Sequence, residues 1–332
     1  MLLRAINGRT NEKDNALMYT IVNKKKLRQQ MGTKALSSPI AMLPPELMRG
    51  VIRFVVSSYE RHAILQLSQV SRSFRQTVLD MSWLFTIANW DRWSTSLLDL
   101  WCQRARAQPL TVSLSEGIIH CLTDGKAPEL KALWESYSRH WGTLILQICP
   151  GADGGGMIRF VERLLQCACP LLRTITIICE GYASSAIPLH LHPDCLPSLQ
   201  ALYLDGILPI SSTSLTSVTE FTFSCQSEKD WLPLLDAVKG CCRIQRLMIG
   251  LSDYYGYNPI VFPVATSKAV LSSLTHLEIE GMDVRLTAAA AISQFLGHCD
   301  IPKLKSLNVR IRYPWSPGPE AFEILCQSLV RR

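Results

Sequence analysis

The sequence predicts an α/β protein in two parts: a small three-helix domain, then a solenoid with parallel strands on its concave side and helices on its convex side. Three observations predict it. An apolar helical stretch opens abruptly after some forty largely polar residues. A phrase apolar-x-x-apolar-x-apolar then recurs seven times, and helical stretches lie between several of the recurrences.

Residues 1–40 form a basic tail with no apolar periodicity and read as disordered. The chain carries a net charge of +7, but this tail holds eight basic residues against only Glu12 and Asp14, so the remainder is close to neutral. A nucleic-acid-binding body would show its basic excess on the folded part, where phosphates are neutralised. That class is therefore not expected. The run Lys24-Lys25-Lys26-Leu27-Arg28 fits either a nuclear-localisation patch or a solvated tail.

No apolar run reaches the length of a membrane span, and the opening MLLRAINGRTNEKDN lacks the apolar core of a signal peptide. The expectation is a soluble protein of the cytoplasm, the nucleus or both, with no membrane partner. Twelve cysteines are scattered without a paired framework. In a reducing compartment most of them serve as small buried apolar residues.

The helical domain is placed at 41–90. In LPPELMRGVIRFV the prolines suit the first helical positions, where the amide has no intrahelical partner, and Glu46 suits the positive end of the helix dipole. Leu47, Val51, Phe54 and Val55 then recur as an apolar stripe. HAILQLSQV and RSFRQTVLDM follow as two further helices, closed by Trp83-Leu84-Phe85. Three short helices bury too little surface to be secure alone, and Gly50 costs the first helix roughly a further 1 kcal/mol relative to Ala. The domain needs a partner surface.

Residues 91–140 are assigned to a helical linker and the start of the array, and 141–332 to the solenoid. The phrases are Trp141/Leu144/Leu146, Leu172/Ile175/Ile177, Leu199/Leu202/Leu204, Val218/Phe221/Phe223, Ile244/Leu247/Ile249, Leu274/Leu277/Ile279 and Leu304/Leu307/Val309. Successive starts are 31, 27, 19, 26, 30 and 30 residues apart. Such self-similarity marks a repeat architecture, whereas a doubly wound sheet has no reason to repeat its sequence. GMIRFVERLLQCAC, KDWLPLLDAVKGCC and TAAAAISQFLGHC are the helices between phrases.

Two stretches are similar to known proteins. MLPPELMRGVIRFVVSSYERHAILQLSQVSRSFRQTVLDMSWLF, residues 42 to about 86, resembles an F-box in its Leu-Pro-Pro-Glu-Leu opening, its LQLSQVSRSFR phrase and its later WLF. LLDLWCQRARAQPLTVSL and YSRHWGTLILQI resemble the continuation in F-box proteins that carry leucine-rich repeats, particularly the fungal-type family. This chain has Phe74 where the family usually has Trp, Ser71 where Cys is common, and Val51-Ile52 in place of Ile-Phe. The repeats lack the asparagine ladder of extracellular leucine-rich proteins.

The resemblance implies a substrate-recognition subunit of a ubiquitin ligase. The F-box would dock a Skp-type adaptor, which tethers it to a cullin and a RING protein, and the repeats would hold a protein substrate. Carried over by position, the adaptor contacts are Leu43, Pro44, Pro45, Leu47, Val51, Ile52, Ile64, Leu65, Leu67, Val70, Phe74 and Trp83. Leu67, Val70 and Phe74 serve equally well as packing between the helices. The alternative is a repeat scaffold whose degenerate F-box recruits no ligase.

Between the strand leucines, side chains of opposite parity face outward. They include Tyr203, Asp205, Glu220, Arg246, Met248, His276, Glu278, Asn308 and Arg310, a mixed, mostly polar face that suits a protein segment. Tyr254, Tyr255 and Tyr257 in one long loop and Trp315 in another are the residue types of interface hot spots.

Enzyme and metal readings are weaker. LILQICPGADGGGMIRFVERLL has a strand, a Gly-rich turn and a helix, but Met157 and Ile158 stand where a P-loop requires Lys and Ser/Thr. His190, His192 and Cys195, with Cys167 and Cys169 upstream, are possible zinc ligands without CxxC spacing. The remaining histidines are scattered and no nucleophile sits in a recognisable motif. The expectation is a non-catalytic protein with no metal and no cofactor.

Overall fold

The computed structural model describes residues 43–58, 62–90, 93–123, 125–148, 154–179, 187–210, 215–225, 228–251, 268–282 and 286–312. The chain divides into two compact units, Met1–Asp80 and Met81–Arg332.

The described residues of the first unit are helical. Helix α1 (Pro45–Ser58) opens at the proline, and its first bond runs from the Met48 amide to the Pro44 carbonyl at 3.0 Å. It buries Met48 and Ile52, one turn apart. Helix α2 (His62–Val70) buries Ile64, and α3 (Arg72–Asp80) buries Phe74, Thr77 and Val78. Ser71 sets the start of α3: its Oγ accepts the Phe74 N–H at 3.1 Å, an N-cap. Arg75 Nε donates to the Ser68 carbonyl at 3.0 Å and so ties α3 back to the end of α2.

The unit closes at Asp80, ten residues before the domain end drawn from the sequence. Trp83-Leu84-Phe85 reads as the closure of the helices, yet Ser82–Phe85 is a 3-10 turn leading directly into a strand. Leu84 and Phe85 are buried in the second unit, with the Phe85 ring edge-on to Trp101 at 4.8 Å.

In chain order the second unit consists of β1 (Ile87–Asn89), α4 (Thr95–Ala105), β2 (Leu110–Leu114), α5 (Glu116–Thr123), α6 (Pro128–Tyr137), β3 (Trp141–Ile148), α7 (Gly154–Leu165), β4 (Thr174–Cys179), β5 (Ile187–His190), β6 (Ala201–Asp205), β7 (Ile207–Ile210), β8 (Glu220–Cys225), α8 (Trp231–Gly240), β9 (Arg246–Leu251), β10 (Ala269–Val270), β11 (His276–Met282), α9 (Leu286–Gly297), β12 (Cys299–Asp300) and β13 (Ser306–Arg312). Among the described residues nine strands form one parallel sheet in the order β1-β2-β3-β4-β6-β8-β9-β11-β13. The order follows the chain without reversal. Strands β5 with β7, and β10 with β12, form two small parallel sheets.

All seven phrases lie at the main strands, and the register stacks them. Leu144, Ile175, Leu202, Phe221, Leu247, Leu277 and Leu307 are successive partners, as are Leu146, Ile177, Leu204, Phe223, Ile249, Ile279 and Val309. These side chains are buried from β3 to β11 and half-buried at β13, the last described strand. The sheet begins earlier than the phrases do. Val112 and Leu114 of β2 join the same two ladders, and Ala88 of β1 joins the first. Strand β1 lies within the range read as the helical domain and β2 within that read as a helical linker and the start of the array. Strand β1 carries the spacing as Phe85-x-x-Ala88-x-Trp90 but with a small alanine at its ladder position, and β2 has Pro109 where the phrase would begin.

The repeat unit is longer than its phrase. A buried or half-buried apolar residue stands three positions upstream: Cys169, Leu196, Leu215, Cys241, Leu271 and Ile301. In each case its carbonyl accepts the N–H of the first phrase residue, closing a β-turn. Beyond the turn, each of the Arg173, Gln200, Thr219, Gln245 and Thr275 carbonyls accepts two consecutive N–H groups of the next repeat.

Tryptophans fill the early part of the sheet unit. Trp134 lies 5.6 Å from Trp90 and 3.6 Å from Trp141, ring centre to ring centre. Gly142 is required at the β2–β3 register shift, since a Cβ there would stand 2.6 Å from the Cβ of Pro109. Gly206 supplies the positive φ of 63° that turns the chain from β6 into β7.

Candidate protein-interaction surfaces

On α1 the apolar residues are divided between two faces. Met48 and Ile52 are buried, whereas Leu47, Val51 and Phe54 are 58%, 42% and 69% exposed. These three recur at i, i+4 and i+7, one stripe of the helix. Large apolar side chains at helical spacing on a short helix are the mark of an interaction surface rather than scattered exposure.

The twelve positions carried over from the F-box resemblance separate accordingly. Pro44, Pro45, Leu47, Val51 and Val70 are exposed, Leu43 and Leu67 half-buried, and Ile52, Ile64 and Phe74 buried. Trp83 is 38% exposed and lies in the second unit. The Leu65 side chain lies outside the described residues. Phe54 is the exposed apolar residue that the carried-over set lacks, although its i+7 spacing from Leu47 marks it in the sequence.

The second surface is the outer face of the sheet, where residues between the ladder positions remain half-exposed or exposed. Register places Glu220 beside Arg246 and Arg246 beside His276 in one row, and Tyr203, Thr222, Met248, Glu278 and Asn308 in the next. Asp205 and Arg310 belong to a third row, with Ser224, Gly250 and Glu280 between them.

The polar groups of this face bond to one another. Tyr203 donates its hydroxyl proton to Glu220 Oε2 at 3.0 Å. Burial, and then that hydrogen bond, push the Tyr203 phenol up. Glu278 Oε1 accepts Asn308 Nδ2 at 3.2 Å and faces Arg310 Nε at 3.4 Å. His276 Nδ1 lies 2.8 Å from Thr275 Oγ1. Solvent screening makes such contacts worth little for stability, but they fix rotamers across neighbouring strands. Tyr254, Tyr255, Tyr257 and Trp315 lie outside the described residues.

Across β2, β3 and β4 the outer face is uncharged, with Thr111, Ser113, Thr143, Ile145, Gln147, Thr174, Thr176 and Ile178. The charged residues begin at β6. An apolar cleft of about 300 Å³, lined by Pro209, Leu215, Leu232 and Cys241 among others, runs along α8. Leu232 and Pro233 are the apolar residues on the exposed side of α8, whose other side buries Trp231, Leu234, Leu235 and Val238.

Among the described residues no group of three His, Cys, Asp or Glu is placed to hold a metal ion. His190 offers its backbone N–H to Glu162 Oε1 at 2.7 Å. Burial pushes the thiols of Cys102, Cys169 and Cys241 up to about 12, which keeps them protonated near neutral pH. The Gly-rich turn considered as a P-loop falls partly outside the described residues, and Gly154 already belongs to α7. No described helix is long and apolar enough to cross a membrane. Compared with protein-family models and with curated proteins, the chain matches none.

Proposed function

We propose that this chain is a non-catalytic substrate-recognition subunit of a Skp–cullin–RING ubiquitin ligase. The first unit is the F-box that docks the adaptor, and the parallel sheet is the concave wall of a leucine-rich-repeat solenoid that binds a protein segment. The observation that carries the reading is the exposed stripe Leu47, Val51 and Phe54 on a helix that already buries Met48 and Ile52. A helix with two apolar faces in so small a unit is accounted for if the second face is covered by another chain. Burying a Leu, Val or Phe side chain contributes roughly 1.5–3 kcal/mol, so three of them suffice to anchor an interface.

For the second unit, the support is the strand order along the chain, the stacked phrases and the carbonyl that accepts two amides at each step from β4 to β13. Parallel strands added one after another on local contacts are what a solenoid requires. The outer face, polar and internally hydrogen-bonded, is suited to a peptide backbone and its polar side chains.

The test is co-purification of the full chain with a Skp-type adaptor. Wild type is expected to retain the adaptor, and Leu47→Asp combined with Val51→Asp to lose it. Retention by the double variant sinks the docking role. One observation favours the second reading, a repeat scaffold with a degenerate F-box: Ile52, Ile64 and Phe74 are buried and so withdrawn from any adaptor. That reading predicts a stable wild-type chain that captures no adaptor.

A further inference from the structure

We infer that Cys167 and Cys195 form an oxidisable dithiol, a reversible disulfide site joining the turn after α7 to the 3-10 turn Pro193–Cys195 that precedes β6. Cys169 N–H donates to the Cys195 carbonyl at 3.0 Å, so the two turns lie backbone to backbone. The Cys195 thiol donates to the Gln166 carbonyl at 3.3 Å, which sets its sulfur against the peptide group joining Gln166 to Cys167. From standard peptide dimensions that sulfur lies no more than about 6 Å from the Cα of Cys167. A disulfide further requires the two Cα atoms to stand about 4.4–6.8 Å apart. Closing the bond therefore takes a rotamer change that turns the Cys195 sulfur from the Gln166 carbonyl towards the Cys167 side chain, together with whatever approach of the two turns that spacing demands.

The third thiol has another task. Cys169 is fully buried, occupies the apolar turn position that Leu196, Leu215 and Cys241 fill in other repeats, and donates its S–H to the Cys167 carbonyl at 3.1 Å. Cys167 and Cys195 are both half-buried, open to small solutes, and neither occupies that position. Burial, with Glu135 and Cys195 adding to it and Lys131 opposing, pushes the Cys167 thiol up.

The oxidant is hydrogen peroxide. The Cys195 thiolate attacks one peroxide oxygen; the S–O bond forms as the O–O bond breaks, and hydroxide leaves and takes up a proton as water. The Cys167 sulfur, giving up its own proton, displaces hydroxide from the sulfenic acid. The S–S bond forms, the S–O bond breaks, and a second water departs. Two thiols are oxidised by two electrons in total and one peroxide is reduced. A thiol reductant reverses the linkage.

The full chain is treated with hydrogen peroxide, its remaining thiols are blocked with a maleimide, and linked peptides are mapped by mass spectrometry. The expected result is a loss of two reactive thiols per chain, a Cys167–Cys195 linkage, and recovery of both thiols with dithiothreitol. Cys167→Ser and Cys195→Ser each abolish the linkage, while Cys169→Ala keeps it. The wild-type peptide map stands independently of whether any variant folds. A map showing Cys169 bonded to Cys195, or Cys195 carried to sulfinic acid with no linkage, overturns the assignment.

Discussion

In the sheet unit an apolar residue at a phrase position is an interior residue; in the helical unit an apolar residue is interior or exterior according to which side of one helix it falls on. Phe221 is held between Leu202 and Leu247 by register, and every phrase position from β3 to β11 is buried in the same way. Val51 and Ile52 are chain neighbours of nearly the same chemistry, yet one is 42% exposed and the other fully buried. A repeated pattern specifies its own neighbour, whereas a lone helix needs another surface to say which apolar face is inside.

The contrast can be broken or sharpened by substitution, and the largest effect is expected in the middle of the ladder. Phe221→Ala should cost about 3–5 kcal/mol by urea unfolding, since rigid neighbours on both sides cannot close the cavity. Leu307→Ala, on the half-buried last described strand, should cost clearly less. Equal costs would mean that the ladder does not govern packing.

Ile52→Ala should cost the helical unit about 2–5 kcal/mol. In the early sheet, Gly142→Ala forces a Cβ against Pro109 and should cost about 1–3 kcal/mol, read as a lowered melting temperature. An unchanged melting temperature would show that the β2–β3 step yields easily.

A titration gives a further handle on the sheet unit. Tyr137 donates its hydroxyl to Asp99 Oδ1 at 2.7 Å, and burial, then that bond, push its phenol up to about 12. The folded chain holds this proton more tightly than the unfolded one, so the stabilisation is fully present below about pH 10. It is lost as pH rises towards 12. Urea midpoints at pH 9 and pH 11 should fall further for wild type than for Tyr137→Phe.

The smallest effect is expected on the exposed stripe. Val51→Ala should change the stability of the isolated chain by no more than about 0.5 kcal/mol. Set beside Ile52→Ala, it measures how sharply one helix separates interior from exterior; a cost above about 2 kcal/mol would place Val51 inside after all.

The seven main strands were legible because stacking the same side chains in register demands that the phrase be repeated. The upstream turn residue was missed for an instructive reason. Cys169 and Cys241 occupy positions that Leu196, Leu215 and Leu271 fill elsewhere, and a cysteine does not read as a repeat leucine. Strand β1 was missed because the small Ala88 holds its ladder position between Phe85 and Trp90, β2 because Pro109 stands where the phrase would begin, and β5, β7, β10 and β12 because two to four residues carry no periodicity. Of the candidate surfaces, the outward parity of the sheet was readable from alternation. The division of the F-box positions into exposed and buried was not, since that depends on helix rotation against neighbours rather than on residue type.

The carbonyl that accepts two amides at each step has a consequence for how such a chain can change. From β4 to β13 each strand passes to the next through the same two bonds, so Arg173, Gln200, Thr219, Gln245 and Thr275 are interchangeable joints. A duplication or deletion running from one joint to the next leaves a junction that still fits, whatever side chains the segment carries. The length of the array and the character of its outer face are therefore free to drift in whole units, while a cut made anywhere between joints is penalised at once.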